Sequence, residues 1–220
     1  MRFTKVLWLI ILVLLACSSG QQNKPNVDTA AHPSAMLNSD QFSLIQQALD
    51  KKEMNENGSY YMLTRKSDST VQVIWGNDTL MREYSKPLEL MFAERIHKEW
   101  NNNDYLILQY GTGSGTWQNL ALPLNSKDSV QVFENALSFD TAHNILAIEQ
   151  LGDTVFTVHN LKTQQKQFII ESARPCDAAQ NSACIDTLSI INKELYYKWL
   201  TPNKYSDKKS SLEKRVRLSI

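Results

Sequence analysis

From Gly58 onward the apolar residues of this chain recur at every second position, in short runs broken by polar turns, and that period constrains the fold more than anything else in the sequence. Tyr60 to Arg65 and Val71 to Trp75 are β-branched or aromatic runs separated by Lys66-Ser67-Asp68-Ser69, the signature of a hairpin. Gly76-Asn77-Asp78 then turns the chain into Thr79 to Tyr84. Tyr105 to Tyr110, Trp117 to Leu124, Val130 to Phe133, Ile145 to Glu149, Thr154 to His159 and Lys166 to Ile170 continue the pattern. Ile185 to Ile191 pairs naturally with Glu194 to Leu200 across Asn192-Lys193, and Arg215 to Ile220 reads as a last strand. Many short strands with even turn spacing predict a mainly all-β fold, an antiparallel meander that is propeller-like or a sandwich, with one short N-terminal helix.

That helix begins at Ser39-Asp40, a capping residue followed by an acid in the first turn. Phe42, Leu44, Ile45, Ala48 and Leu49 place an apolar face along it, and Asn55-Glu56-Asn57-Gly58 ends it. Residues 88–100 are ambiguous: Leu88, Met91, Phe92, Ile96 and Trp100 suit a helix face, yet Trp100 to Tyr105 reads as a hairpin tip, and strand is the preferred reading. The segment Asn144 to Ile170, three strands joined by a tight turn and Asn160-Leu161-Lys162-Thr163, resembles part of a β-propeller blade. A complete propeller normally needs at least four blades of four strands. No strong internal repeat supports one, so an open, blade-like meander and a sandwich stand beside it.

The N-terminus carries a different signal. Arg2 and Lys5 precede an apolar run from Val6 to Leu15, and Leu14-Leu15-Ala16-Cys17 is followed by Ser18-Ser19-Gly20. The run is too short to cross a bilayer, which takes roughly 20 residues, and the layout is that of a secretory signal peptide. The cysteine directly after a small residue resembles the lipobox of bacterial lipoproteins. The resemblance implies cleavage before Cys17 and lipidation of that residue, so that the membrane is a partner through the N-terminal lipid. Residues 1–16 are then the signal peptide, 17–36 a lipidated cysteine with a flexible tether, and 37–220 a single mostly β domain. The tether has almost no large apolar residues and as a coil spans about 25 Å. Ser18 stands where some such lipoproteins carry an inner-membrane retention aspartate, so the expected location is the bacterial envelope, at the outer membrane and facing the periplasm.

With 23 basic and 23 acidic residues the chain offers no electrostatic reason to expect nucleic acid. Once Cys17 is assigned to the leader, Cys176 and Cys184 remain as a pair in an oxidising compartment. The expectation is a structural disulfide closing the polar loop between them, contributing up to ~3 kcal/mol.

Gly111-Thr112-Gly113-Ser114-Gly115 satisfies neither phosphate-loop pattern. Ser114 has glycine on both sides and leads into a strand, so it fails as a nucleophile elbow. The loop reads as a hairpin tip. If function lies in a loop, Gly111, Gly113, Ser114 and Gly115 are the ligand-binding candidates, because glycines admit close backbone approach. Trp117 is a candidate flat contact beside them. His32, His97, His143 and His159 are dispersed, with no His–carboxylate spacing. No catalytic residue, metal site or cofactor is therefore assigned. Asp140 and Asp153 read as turn formers, as do Asn57 and Asn77 of the two sequon-like triplets. Trp75, Trp100, Trp117 and Trp199 lie at strand ends and read mainly as core. The basic residues Lys214, Arg215 and Arg217 read as a solvated edge strand. The resulting expectation is a non-enzymatic binding or assembly component that presents its β domain to an envelope protein or a glycan. The alternative is a small envelope hydrolase with a site assembled near Gly111–Gly115.

Overall fold

The computed structural model describes residues 39–113, 115–150, 154–171, 184–201 and 210–220, all within a unit that runs from Leu37 to Ile220. These residues form one α-helix, α1 (Ser39–Ala48), and four antiparallel sheets whose strands follow chain order. The first sheet is β1 (Glu53–Met54), β2 (Tyr60–Arg65), β3 (Thr70–Asn77) and β4 (Leu80–Glu83), with β5 (Leu88–Glu89) also paired to β3. The second is β6 (His97–Asn101), β7 (Tyr105–Gly111), β8 (Trp117–Pro123) and β9 (Gln131–Glu134). The third is β10 (Ala136–Asp140), β11 (Ile145–Glu149), β12 (Thr154–Asn160) and β13 (Lys166–Ile170). The fourth is β14 (Ile185–Ile191), β15 (Glu194–Thr201) and β16 (Ser210–Arg217).

The two-residue period explains how the sheets stack. Along a strand, successive side chains point to opposite faces. In β7, Leu106, Leu108 and Tyr110 join a core shared with the first sheet, while Tyr105 and Ile107 join a core shared with the third. In β11, Leu146 and Ile148 face the second sheet, while Ile145 and Ala147 face the fourth. Both middle sheets are therefore covered on both faces, and their central strands are buried almost continuously. The result is a row of blade-like meanders, each packed on the next. Among the described residues no core cluster joins the first sheet to the fourth.

Trp75, Trp100 and Trp199 are core residues, and the Trp75 indole N–H donates to Pro123 O at 3.0 Å, fastening the first sheet to the second. Asn57 Oδ1 accepts from Ser59 N–H at 3.1 Å and Asn77 Oδ1 from Thr79 N–H at 3.0 Å, so both asparagines close local turns.

Several expectations need correction. α1 ends at Ala48 and is followed by β1 before the turn at Asn55–Gly58; Ile45 and Leu49 reach the core, whereas Phe42 and Leu44 stay exposed. Residues 88–100 are neither one helix nor one strand. A 3₁₀ turn, Leu90–Arg95, sits between β5 and β6 and buries Leu90 and Ala93, with Ile96 buried just after it at the same three-residue step. β10 was not anticipated, because only Leu137 and Phe139 mark it as apolar between Ala136 and Asp140. The last strand runs from Ser210 to Arg217. Asp140 ends β10 buried and is more than a turn former. Its carboxylate accepts from His143 Nδ1 at 2.9 Å and from Lys193 N–H at 3.1 Å, a histidine–carboxylate pair that a three-residue spacing hides in the sequence.

Candidate functional site

The second and third sheets are pinned together by hydrogen bonds among their turns and strand ends. Asn102 Nδ2 donates to Thr141 O at 2.6 Å and to Asn144 Oδ1 at 2.7 Å. Asn144 Nδ2 donates to Asp104 Oδ2 at 2.8 Å, and Lys162 pairs with the same carboxylate at 3.2 Å. Tyr105 Oη and Gln131 Nε2 both donate to Leu161 O at 3.0 Å. Between the two sheets lies a groove of about 970 Å³, at the upper end of the size range for ligand sites.

The groove has two unlike walls. One is β9 and the residue after it, Gln131 to Asn135, every member of which lines the groove. The other is a face of the third sheet, to which β12 contributes Thr157 and His159 and β13 contributes Lys166 and Phe168. Phe168 is 61% exposed, as a large apolar side chain on a wall open to solvent. His159 and Phe133 meet across the groove floor edge to face. Burial, with a smaller contribution from the Lys166 charge, pushes the imidazole down to about 4, so His159 is neutral at physiological pH. Glu149, Gln150 and Thr116 close the far end, where Glu149 N–H donates to Asn135 O at 3.2 Å. On β8, Asn119 pairs with Phe133 in register and is fully buried. Neither atom of its amide has a hydrogen-bond partner among the described residues.

The sequence-derived candidates fall around this groove rather than in it. Gly111 ends β7 opposite Trp117, and Thr112 N–H donates to Thr116 O at 3.0 Å, so the glycine segment is the β7–β8 hairpin tip. Gly113 and Gly115 adopt φ of +89° and +76°, conformations that favour glycine. A Cβ on Gly111 or Gly115 would meet nothing within 4 Å. Ser114 lies outside the described residues. The Trp117 indole donates to Ala136 O at 3.1 Å, and its main-chain N–H donates to Asn135 Oδ1 at 3.1 Å, so it fastens the β9–β10 crossover. Thr116 is the member of this neighbourhood that reaches the groove. Cys17 and Cys176 lie outside the described residues. Cys184 is buried in the core between the third and fourth sheets and is engaged rather than free. Among the described residues no three metal-ligating side chains gather.

The groove residues were missed because its walls come from segments some thirty positions apart, and neither segment carries a motif. The one available signal was Phe168 and Ile170, apolar residues alternating on a strand that the third sheet leaves at its edge. Comparison with known proteins gives no match to a protein family, to a curated protein or to a solved structure.

Proposed function

We propose that this chain is a lipid-anchored bacterial envelope lipoprotein whose β unit is a non-enzymatic binding module, and that the groove between the second and third sheets is its binding site. The observation that carries the reading is the groove's composition. An exposed ring (Phe168), a second ring (Phe133), a neutral imidazole (His159) and surrounding amides and charges offer apolar contact and hydrogen bonding. The leader Leu14-Leu15-Ala16-Cys17 supports the anchor, with Cys17 as the lipidated residue in the periplasm-facing leaflet of the outer membrane. Several acyl chains on one residue would hold the protein at the membrane, since each CH₂ contributes about 0.8 kcal/mol. The same oxidising compartment supports a disulfide between Cys176 and Cys184.

The test is photo-cross-linking in cells with full-length protein carrying a benzophenone side chain at position 168, compared with the same probe at Met81, which is exposed on the first sheet. A discrete adduct at 168 and not at 81 is expected. No adduct at 168, or the same adducts at both, overturns the groove as the site. Cys17→Ser is expected to abolish acyl labelling, and retained labelling refutes the anchor. Alkylation without reductant is expected to leave Cys176 and Cys184 unmodified.

A further inference from the structure

The lining pattern of the groove differs between its walls, and the difference specifies what fits. On the last two strands of the third sheet the lining residues alternate, Thr157 and His159 on β12 and Lys166 and Phe168 on β13, which is how a sheet presents a face, while β11 adds Ile148 and Glu149 at its C-terminal end. On β9 they are consecutive from Gln131 to Glu134, with Asn135 following, as expected where the groove runs along a strand's edge. β9 is the terminal strand of its sheet. Asn135 N–H donates to Trp117 O at 3.0 Å, and β8 and β9 pair without a register shift from Gln118–Glu134 to Ala121–Gln131. In an antiparallel ladder alternate residues turn both main-chain groups toward the partner strand. That parity gives Phe133 and Gln131 to β8 and leaves the N–H and C=O of Val132 and Glu134 pointing out of the sheet, into the groove.

We infer that the groove binds an extended peptide segment of another envelope protein, which adds to β9 as a fifth strand of the second sheet. The inference rests on the groove being the binding site. Gln131 to Asn135 spans about 13 Å, room for roughly four extended residues. Main-chain pairing with Val132 and Glu134 supplies attachment, and side chains alternating about the new strand supply selectivity. One set points at Phe133, His159 and Phe168 and is apolar, with a carboxylate where it passes the exposed Lys166. The other set lies beside Val132 and the exposed Glu134, and a basic residue opposite Glu134 completes a favourable cross-strand pair. A regular alternation of main-chain donor and acceptor is matched by a second backbone, and a glycan has no such repeat.

The decisive variant is Val132→Pro in the full-length, lipidated protein that carries the probe at position 168. Proline removes the outward N–H of β9 and leaves the β8 ladder intact, a substitution that sheet edges tolerate. The adduct at 168 is expected to map to a polypeptide segment with alternating apolar residues and to fall about tenfold in Val132→Pro, while Val132→Thr retains it. Where Val132→Pro lowers the thermal midpoint, Glu134→Lys replaces it, and the same adduct is expected to weaken. A peptide adduct that survives both variants overturns strand addition. An adduct to a glycan, or to a second copy of this chain, overturns the partner peptide but leaves the groove as a binding site. Absence of any adduct at 168 overturns the binding reading itself.

Discussion

His159 stands edge-on to Phe133, ring centroids 5.1 Å apart and planes at 71°, as the one ionisable side chain in contact with an aromatic across the gap between the second and third sheets among the described residues. Protonating it would place a charge in a half-buried site beside Lys166. The folded imidazole titrates at about 4, against an ordinary value of about 6.5. Above pH 6.5 it is neutral in both states and contributes no pH dependence. As pH falls from 6.5 to 4 the unfolded chain takes up a proton that the folded protein refuses, and stability is lost. The expected loss is on the order of 1–2 kcal/mol once solvent screening is allowed for. Across this window the thermal midpoint of the wild type is expected to fall relative to that of His159→Phe as pH drops, and a constant difference refutes the assignment.

Asp140 works in the opposite sense. Burial pushes its carboxyl up, but the Lys193 N–H and the His143 ring and main-chain N–H outweigh burial and hold it below the usual carboxylate range. Its stabilisation is therefore present above pH ~4 and disappears as pH falls through the lowered folded value. Because Lys193 lies in the β14–β15 turn, the carboxylate also ties the third sheet to the fourth. Asp140→Asn is expected to cost about 2 kcal/mol at pH 7 in denaturant unfolding and less at pH 3. Equal costs at the two pH values contradict the ionised role.

Much of the fold was legible because the period-two signal is local. Lys166 to Ile170 and Ile185 to Ile191 were placed without error, since each run is bounded by polar turn residues. The stacking order was not legible, because which neighbour a β7 residue faces depends on parity alone, and Leu106 and Ile107 look alike in sequence. Residues 88–100 read as strand because the hairpin tip from Trp100 to Tyr105 outweighs the helix-like spacing of Leu88, Met91, Phe92, Ile96 and Trp100, and a 3₁₀ turn this short leaves no longer periodicity to find. The groove was the least legible feature. It lies between two sheets, lined from both, and how sheets pack has no residue pattern of its own. For Trp117, an aromatic beside a glycine loop suggested a contact surface, and the structure adds a bond the sequence does not reveal, from its indole N–H to Ala136 O.

Gly76 carries the sharpest steric constraint. It sits in β3 paired with Met81 of β4, and a Cβ there would lie 1.8 Å from Leu80 O and 2.8 Å from Leu80 C, both backbone atoms. No rotamer change relieves such a clash, so the β3–β4 turn must open. Gly76→Ala is expected to destabilise by about 3 kcal/mol or more, at the severe end for a point substitution. Gly111→Ala, where the added methyl meets nothing within 4 Å, is the control and is expected to stay within about 0.5 kcal/mol. Equal effects at the two sites in chemical denaturation contradict the close approach.

Asn119 presents the reverse case, a polar group whose removal is expected to help. Its amide is fully buried on the face of β8 that packs toward the third sheet, and both of its polar atoms lack partners among the described residues. An unpaired buried amide costs about 1–3 kcal/mol in desolvation. Valine is close in volume and favours strands. Asn119→Val is therefore expected to raise stability by about 1 kcal/mol, read as an upward shift in the thermal midpoint. Phe133, its neighbour in register, lines the groove, so the same variant separates two roles. A stability gain with the position-168 adduct unchanged makes the amide a packing defect. A gain accompanied by loss of the adduct makes it a group held in reserve for the bound segment, and a fall in stability shows that the amide is satisfied in solution.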